Sequence, residues 1–205
     1  MRLSCVALGY FCGCVLTANL VARRLSGKSV FEIGTKNPGT ANIGGQFGIG
    51  WAAVTLLGDI LKTALPCAAC RFLLFPPLGR VAVLYAGLGA ALGHAFPFWH
   101  GFRGGRSVAV TCAYLVFFSP LWGIAAALAG LCAVFATGYL APGALLIPCL
   151  YMIPIFRNDG TEAGLVTVAG TLLLFLLHLD SLRRIAHGTE KKSGLPDRLK
   201  KFFRS

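Results

Sequence analysis

Long apolar runs, separated by short polar and glycine-rich stretches, set the rhythm of this chain. Residues 3 to 22 are apolar enough to cross a bilayer as a helix, and so are about 50 to 75 and Arg80 to about Phe98, since a spanning helix takes roughly 20 such residues. A shorter run, Val108 to Phe118, stops at Ser119-Pro120, where proline disfavours helical geometry in the residue before it. Further runs cover about 120 to 138, 142 to 156 and 162 to 182. The pattern predicts an all-α polytopic membrane helical bundle of about seven transmembrane helices. Several runs are short, so about six spans plus a re-entrant or interfacial helix is the other count the pattern allows. No internal repeat points to an inverted-repeat transporter.

The polar interruptions carry orientation. Arg23, Arg24 and Lys28 follow the first span, and cationic loops stay on the cytoplasmic side. The N-terminus is therefore expected outside, and the Lys- and Arg-rich C-terminus in the cytoplasm. This parity gathers three polar stretches on the cytoplasmic side: 34 to 43, where Pro38-Gly39 demands a turn; 93 to 106, reading GHAFPFWHGFRGGR; and 178 to 190. Beyond them Lys191 to Ser205 is basic, with Leu195, Leu199, Phe202 and Phe203 unevenly spaced, and reads as a tail lying on anionic lipid. The expected organisation is a single integral membrane domain over 1–190 and a basic cytoplasmic tail over 191–205.

Composition narrows the class. With 56% hydrophobic residues in 205 and a mean hydropathy of +0.73, the chain has too little polar surface for a soluble globule. Its formal charge is +12, and eight of its 19 Lys and Arg lie between Arg183 and Arg204. Basic loops beside membrane helices account for this, so nucleic acid is not implied as a partner. The cysteines at 5, 12, 14, 67, 70, 112, 132 and 149 sit in apolar runs and read as small buried hydrophobes. Cys67 and Cys70 have CxxC spacing but no second such pair, so neither zinc nor redox chemistry is indicated. The first run has no basic leader beyond Arg2 and is read as a retained span, not a cleaved signal.

The chemistry is concentrated at the cytoplasmic stretches. Gly104 and Gly105 expose backbone N–H groups between Arg103 and Arg106, which is an anion site in outline. The helix predicted to start just after them would aim its positive end at the same anion. Asp59 and Lys62 share one helical face. Charges at that depth are costly, and they either line a polar cavity or neutralise each other and pin helix packing. On the last helix His178, Ser181 and Arg184 are successive turns of one face.

Four motifs in order resemble one family: Asn37, Pro38, Gly39 and Asn42; Gly58-Asp-Ile-Leu-Lys62 with Leu65-Pro66; Gly93-His94 with Phe96-Pro97 and Gly101-Phe-Arg-Gly-Gly105; and His178, Arg184 and Gly188-Thr-Glu190. Across nearly its whole length the chain resembles the bacterial acyl-phosphate:glycerol-3-phosphate acyltransferases of the PlsY type. The resemblance implies a multi-pass enzyme of the bacterial plasma membrane, active site toward the cytoplasm, moving a fatty acyl group from acyl phosphate to the sn-1 hydroxyl of glycerol 3-phosphate. Lysophosphatidic acid and phosphate would be the products. It implies no cofactor, no metal and no obligate protein partner.

The resemblance also suggests roles. Thr35, Lys36, Asn37, Gly39 and Asn42 would cradle the acyl phosphate, against the plain alternative of an ordinary turn. Arg103, Gly104, Gly105 and Arg106 would hold glycerol 3-phosphate, joined by Ser181, Arg184 and Glu190; Arg106 as a snorkelling interfacial arginine, and Glu190 as a backbone cap, are the alternatives. His94 and His178 are the catalytic candidates, as hydrogen-bond donors or proton acceptors, or else structural histidines. The chain departs from the family pattern at Gly45, where arginine is usual; at Arg106-Ser107, where lysine and glycine are usual; and at Ser181, where asparagine is usual. Lys36 stands where glycine is common and is a candidate to restore the cation missing at Gly45. A divergent paralogue acting on another phosphorylated polyol, a non-catalytic binding protein and a small transporter are the competing readings.

Overall fold

The computed structural model describes residues 1–194, which are helical with no strand among them. The basic tail expected over 191–205, with Leu195, Leu199, Phe202 and Phe203, lies mostly outside the described residues. The helices are α1 (Arg2–Gly13), α2 (Thr17–Ser26), α3 (Thr40–Phe47), α4 (Ile49–Ala68), α5 (Val81–Ala95), α6 (Val108–Phe118), α7 (Pro120–Thr137), α8 (Leu140–Asn158) and α9 (Gly160–Ala186). Among them are six segments of spanning length and hydropathy, in which α1 with α2, α4 with its extension, and α5 with the turn that follows it to His100 each count as one. The helix α6 has 11 residues, about 16 Å at 1.5 Å per residue, well short of the roughly 30 Å hydrocarbon core. Large apolar side chains face outward along the spans, among them Leu3, Phe72, Leu121 and Leu172, as a lipid-facing surface requires.

The first span departs from the continuous helix expected over 3 to 22. It stops at Gly13 and restarts at Thr17, with Leu16 extended at the second start. The second span ends in a wider π turn, Ala69–Leu74, closed by the Phe75 N–H donating to the Cys70 carbonyl. Pro66 lies just upstream of it and supplies no backbone N–H, a usual setting for such a local rearrangement.

Two compact units make up the described chain, the first Met1–Phe118 and the second starting at Ser119. In the first, α1 and α5 meet backbone to backbone. A β-carbon on Gly9 would lie 2.0 Å from the Ala86 carbonyl oxygen, and one on Gly93 would lie 2.1 Å from that of Tyr10. Small residues at four-residue spacing, Gly9 with Gly13 and Gly89 with Gly93, allow this approach, which in lipid gains from van der Waals contact and not from hydrophobic burial. In the second unit α7, α8 and α9 run as consecutive hairpins turned at Gly138 and Gly160, both with positive φ. Tyr151, Ile155 and Leu174 are buried there. The start of the basic segment is tied to this unit, because the Ser193 N–H donates to the Gly138 carbonyl at 2.8 Å.

Candidate active site

The break in the first span leaves main-chain carbonyls without helical partners, and in hydrocarbon each such group costs several kcal/mol. Two side chains from far along the sequence satisfy them. The indole N–H of Trp99 donates to the Cys14 carbonyl at 3.1 Å, and the Lys62 ammonium donates to the Val15 carbonyl at 2.7 Å. Lys62 Nζ also lies 2.7 Å from His94 Nδ1 and 2.9 Å from Asp59 Oδ1, so three electron-rich atoms surround the ammonium. The approach to Asp59 is off the hydrogen-bonding direction, which makes that contact Coulombic and leaves Oδ1 with no hydrogen-bond donor among the described residues. Asp59, Lys62 and His94 are 2%, 8% and 4% exposed. Of the two readings of the pair, the geometry matches neutralisation and packing. The lysine serves as a tethered cation at the end of a half-helix, where the helix dipole is negative.

His94 is also the floor of the glycine-arginine loop. The Gly105 N–H donates to the His94 carbonyl at 2.9 Å, so this amide, expected to face an anion, is engaged within the protein. A β-carbon on Gly105 would sit 2.2 Å from His94 Nε2, and one on Gly104 would sit 2.0 Å from the His94 carbonyl oxygen. The glycine pair is thus needed for the loop to lie flat on the last turn of α5. Arg103 is exposed and Arg106 half-buried. Ser107, which stands where the resembled pattern has glycine, keeps a left-handed φ of 55° and donates its hydroxyl to the Ala91 carbonyl at 2.8 Å.

The first polar loop is built around Asn42. Its side-chain oxygen accepts from the Thr35 N–H at 2.9 Å and its amide donates to the Ile33 carbonyl at 3.2 Å. Asn42 is buried, so it shapes the loop from within and does not face out of it. Gly39 is the N-cap of α3, Asn37 is half-buried, and Thr35 and Lys36 are exposed. Lys36 has a φ of 60°, the second place where a non-glycine residue keeps glycine-like backbone. Thr40, on the first turn of α3, has a buried hydroxyl with no hydrogen-bond partner among the described residues. Sequence reasoning passed over Thr40, Trp99 and the break near Val15. The polar pair Thr17 and Asn19 inside an apolar run was the available signal for the break, since Asn19 Oδ1 accepts from the Ser29 hydroxyl and the Val30 N–H.

In the second unit His178, Ser181 and Arg184 share a face as expected. His178 is buried, and its Nδ1 lies 2.8 Å from the Leu174 carbonyl; a carbonyl only accepts, so Nδ1 carries a proton. Arg184 donates to the Ser181 hydroxyl at 3.1 Å and, through Nε, to Glu190 Oε2. The Thr189 and Glu190 N–H groups both return to the Arg184 carbonyl. Glu190 thus pairs with the Arg184 guanidinium.

A family model described as Glycerol-3-phosphate acyltransferase matches residues 3–188. The chain belongs to the glycerol-3-phosphate acyltransferase family. Relatives include glycerol-3-phosphate acyltransferase 1 of Lactobacillus johnsonii, 37% identical over 169 residues that cover 82% of this chain and 81% of the relative. The glycerol-3-phosphate acyltransferase of Methylorubrum populi is 35% identical over 193 residues, covering 94% and 93%. In fold, the chain matches a crystal structure of PlsY (YgiH), an integral membrane glycerol 3-phosphate acyltransferase in its glycerol 3-phosphate form, with TM-score 0.84 at 21% identity over 97% of this chain and 98% of that one. A second such structure, in the lysophosphatidic acid form, gives 0.83 at 20% identity. Lys36 and Ser107 both keep a left-handed φ in this glycerol-3-phosphate acyltransferase chain.

Proposed function

We propose that this chain is an acyl-phosphate-dependent glycerol-3-phosphate 1-O-acyltransferase. The sn-1 hydroxyl oxygen attacks the acyl carbonyl carbon, the bond from that carbon to the phosphate oxygen breaks, and the hydroxyl proton leaves on the released phosphate. Acyl phosphate is already activated, so the protein's task is to screen two dianions and align the reacting atoms. The observation that carries this reading is the Gly104–Arg106 loop, laid on His94 and followed at once by α6, in a chain whose family match runs from residue 3 to 188. Arg103 and Arg106 supply charge for glycerol 3-phosphate. The first turn of α3, with Thr35, Lys36, Asn37, Gly39 and the unpartnered Thr40 hydroxyl, receives the acyl phosphate.

The orientation we propose places these loops in the cytoplasm, with α6 as a seventh, short crossing and the N-terminus outside a bacterial plasma membrane. It is supported by Arg23, Arg24 and Lys28 after the first span and Arg183 and Arg184 at the end of the last. Against a transporter, Asp59 and Lys62 are locked to each other and to α1, so they are not charges awaiting a passing ion. The departures at Gly45, Arg106 and Ser181 favour testing a second acceptor, another phosphorylated polyol. Purified protein in detergent is given palmitoyl phosphate with glycerol 3-phosphate, and phosphate release is followed. Release that requires glycerol 3-phosphate and is lost in Arg106→Ala is the expected result. No release with it, but release with another polyol phosphate, replaces the acceptor; no release with any acceptor overturns the reading.

A further inference from the structure

The imidazole of His94 is held from two sides. Its Nδ1 edge meets the Lys62 ammonium at 2.7 Å, while its Nε2 edge lies where a β-carbon on Gly105 would be 2.2 Å away. An ammonium has donors and no acceptor, so the ring must present a lone pair at Nδ1. A neutral ring with its lone pair at Nδ1 carries its proton at Nε2, on the edge that faces the glycine-arginine loop. Lys62 cannot turn away to release the ring, because a second N–H donates to the Val15 carbonyl at 2.7 Å and the Asp59 carboxylate holds the ammonium by charge at 2.9 Å. The opposite tautomer would press an N–H against the ammonium in a site where all three side chains are more than nine-tenths buried, and such a clash of donors is strongly unfavourable at low dielectric.

We propose that Lys62 is a positioning residue for the glycine-arginine loop: it clamps His94 in the Nε2–H tautomer, so that His94 is a fixed hydrogen-bond donor beneath Gly104–Arg106. The inference rests on the acyltransferase reading for its kinetic consequence, but its structural content stands apart from it. The break in α1 acquires a role too, since the Val15 carbonyl it frees is one of the acceptors that orient the lysine.

The test uses the full-length protein in detergent with nitrogen-15-labelled histidine. The chain has four histidines, and the His94 resonances are assigned by their disappearance in His94→Gln. In the unaltered protein we expect an unprotonated Nδ1 and a protonated Nε2 at neutral pH. The double variant Asp59→Asn/Lys62→Met removes both charges together, so no unpaired charge remains buried. It is expected to lose the Nε2–H preference, to speed hydrogen exchange at the Gly105 amide by about tenfold, and to raise KM for glycerol 3-phosphate by about tenfold, as loss of one charged hydrogen bond would. KM for palmitoyl phosphate is expected to stay unchanged, which a merely structural defect would not achieve. A protonated Nδ1 in the unaltered protein overturns the proposal, and does so even if the double variant does not fold. A folded double variant with the same tautomer and the same exchange rate, or with both KM values raised alike, also overturns it. If the unaltered protein releases no phosphate, the functional reading fails while the tautomer and exchange measurements still decide this one.

Discussion

Ser107 offers a test in which two substitutions at one position should differ in size, the smaller side chain costing less. Its φ of 55° is a conformation that costs a residue with a β-carbon roughly 1–2 kcal/mol, and its hydroxyl donates to the Ala91 carbonyl at 2.8 Å in a site only 2% exposed. That bond contributes about 1 kcal/mol. Ser107→Ala keeps the backbone penalty and loses the bond, so a net loss of about 1 kcal/mol follows. Ser107→Gly loses the same bond but relieves the penalty, and the extra freedom of glycine in the unfolded chain costs back about 0.5–1 kcal/mol; the sum is close to zero. For a chain of this size, 1 kcal/mol shifts the unfolding midpoint by about 2–4 °C. Thermal unfolding of the three proteins in one detergent should therefore place alanine about 2–4 °C below serine and glycine within about 2 °C of it. A glycine variant less stable than the alanine variant would refute the reasoning, because the left-handed backbone would then impose no penalty on serine.

Two further outcomes follow from the same geometry. Gly93→Ala puts a β-carbon 2.1 Å from the Tyr10 carbonyl oxygen, so α1 and α5 must separate; a loss of about 1–3 kcal/mol is expected, read as a lower midpoint in the same unfolding assay. Lys36→Ala, at an exposed position, should leave the midpoint unchanged and raise KM for glycerol 3-phosphate, and unchanged glycerol 3-phosphate kinetics would show that Lys36 does not replace the cation missing at Gly45.

The spans were legible because lipid imposes a single rule, that a crossing helix be apolar throughout, and Leu, Ala and Val runs announce it without reference to partners. The end of α6 was legible for a similar local reason, Ser119-Pro120. What stayed hidden was decided by residues distant in sequence. The break after Gly13 depends on Lys62 and Trp99, 47 and 85 positions from the carbonyls they bind. Spacing placed Asp59 and Lys62 on one face, but it gave no reason to add His94 from the next helix. At Gly104 and Gly105 composition suggested donors awaiting an anion, whereas the packing shows that part of the need for glycine is the closeness of His94. Thr40 went unremarked because a lone threonine before an apolar helix is commonplace, and only its burial without a partner distinguishes it.

The interrupted first span bears on how the chain enters the membrane. When α1 and α2 are made, the residues that satisfy the Cys14 and Val15 carbonyls do not yet exist, since Lys62 and Trp99 are translated later. A nascent first segment alone in lipid has no better donors than its own amides, so hydrogen bonding favours an unbroken helix at that stage. The interruption is then acquired when α4 and α5 arrive and their side chains take over those carbonyls. It belongs to the finished assembly and not to the segment, and a chain released before residue 62 should carry its first span straight.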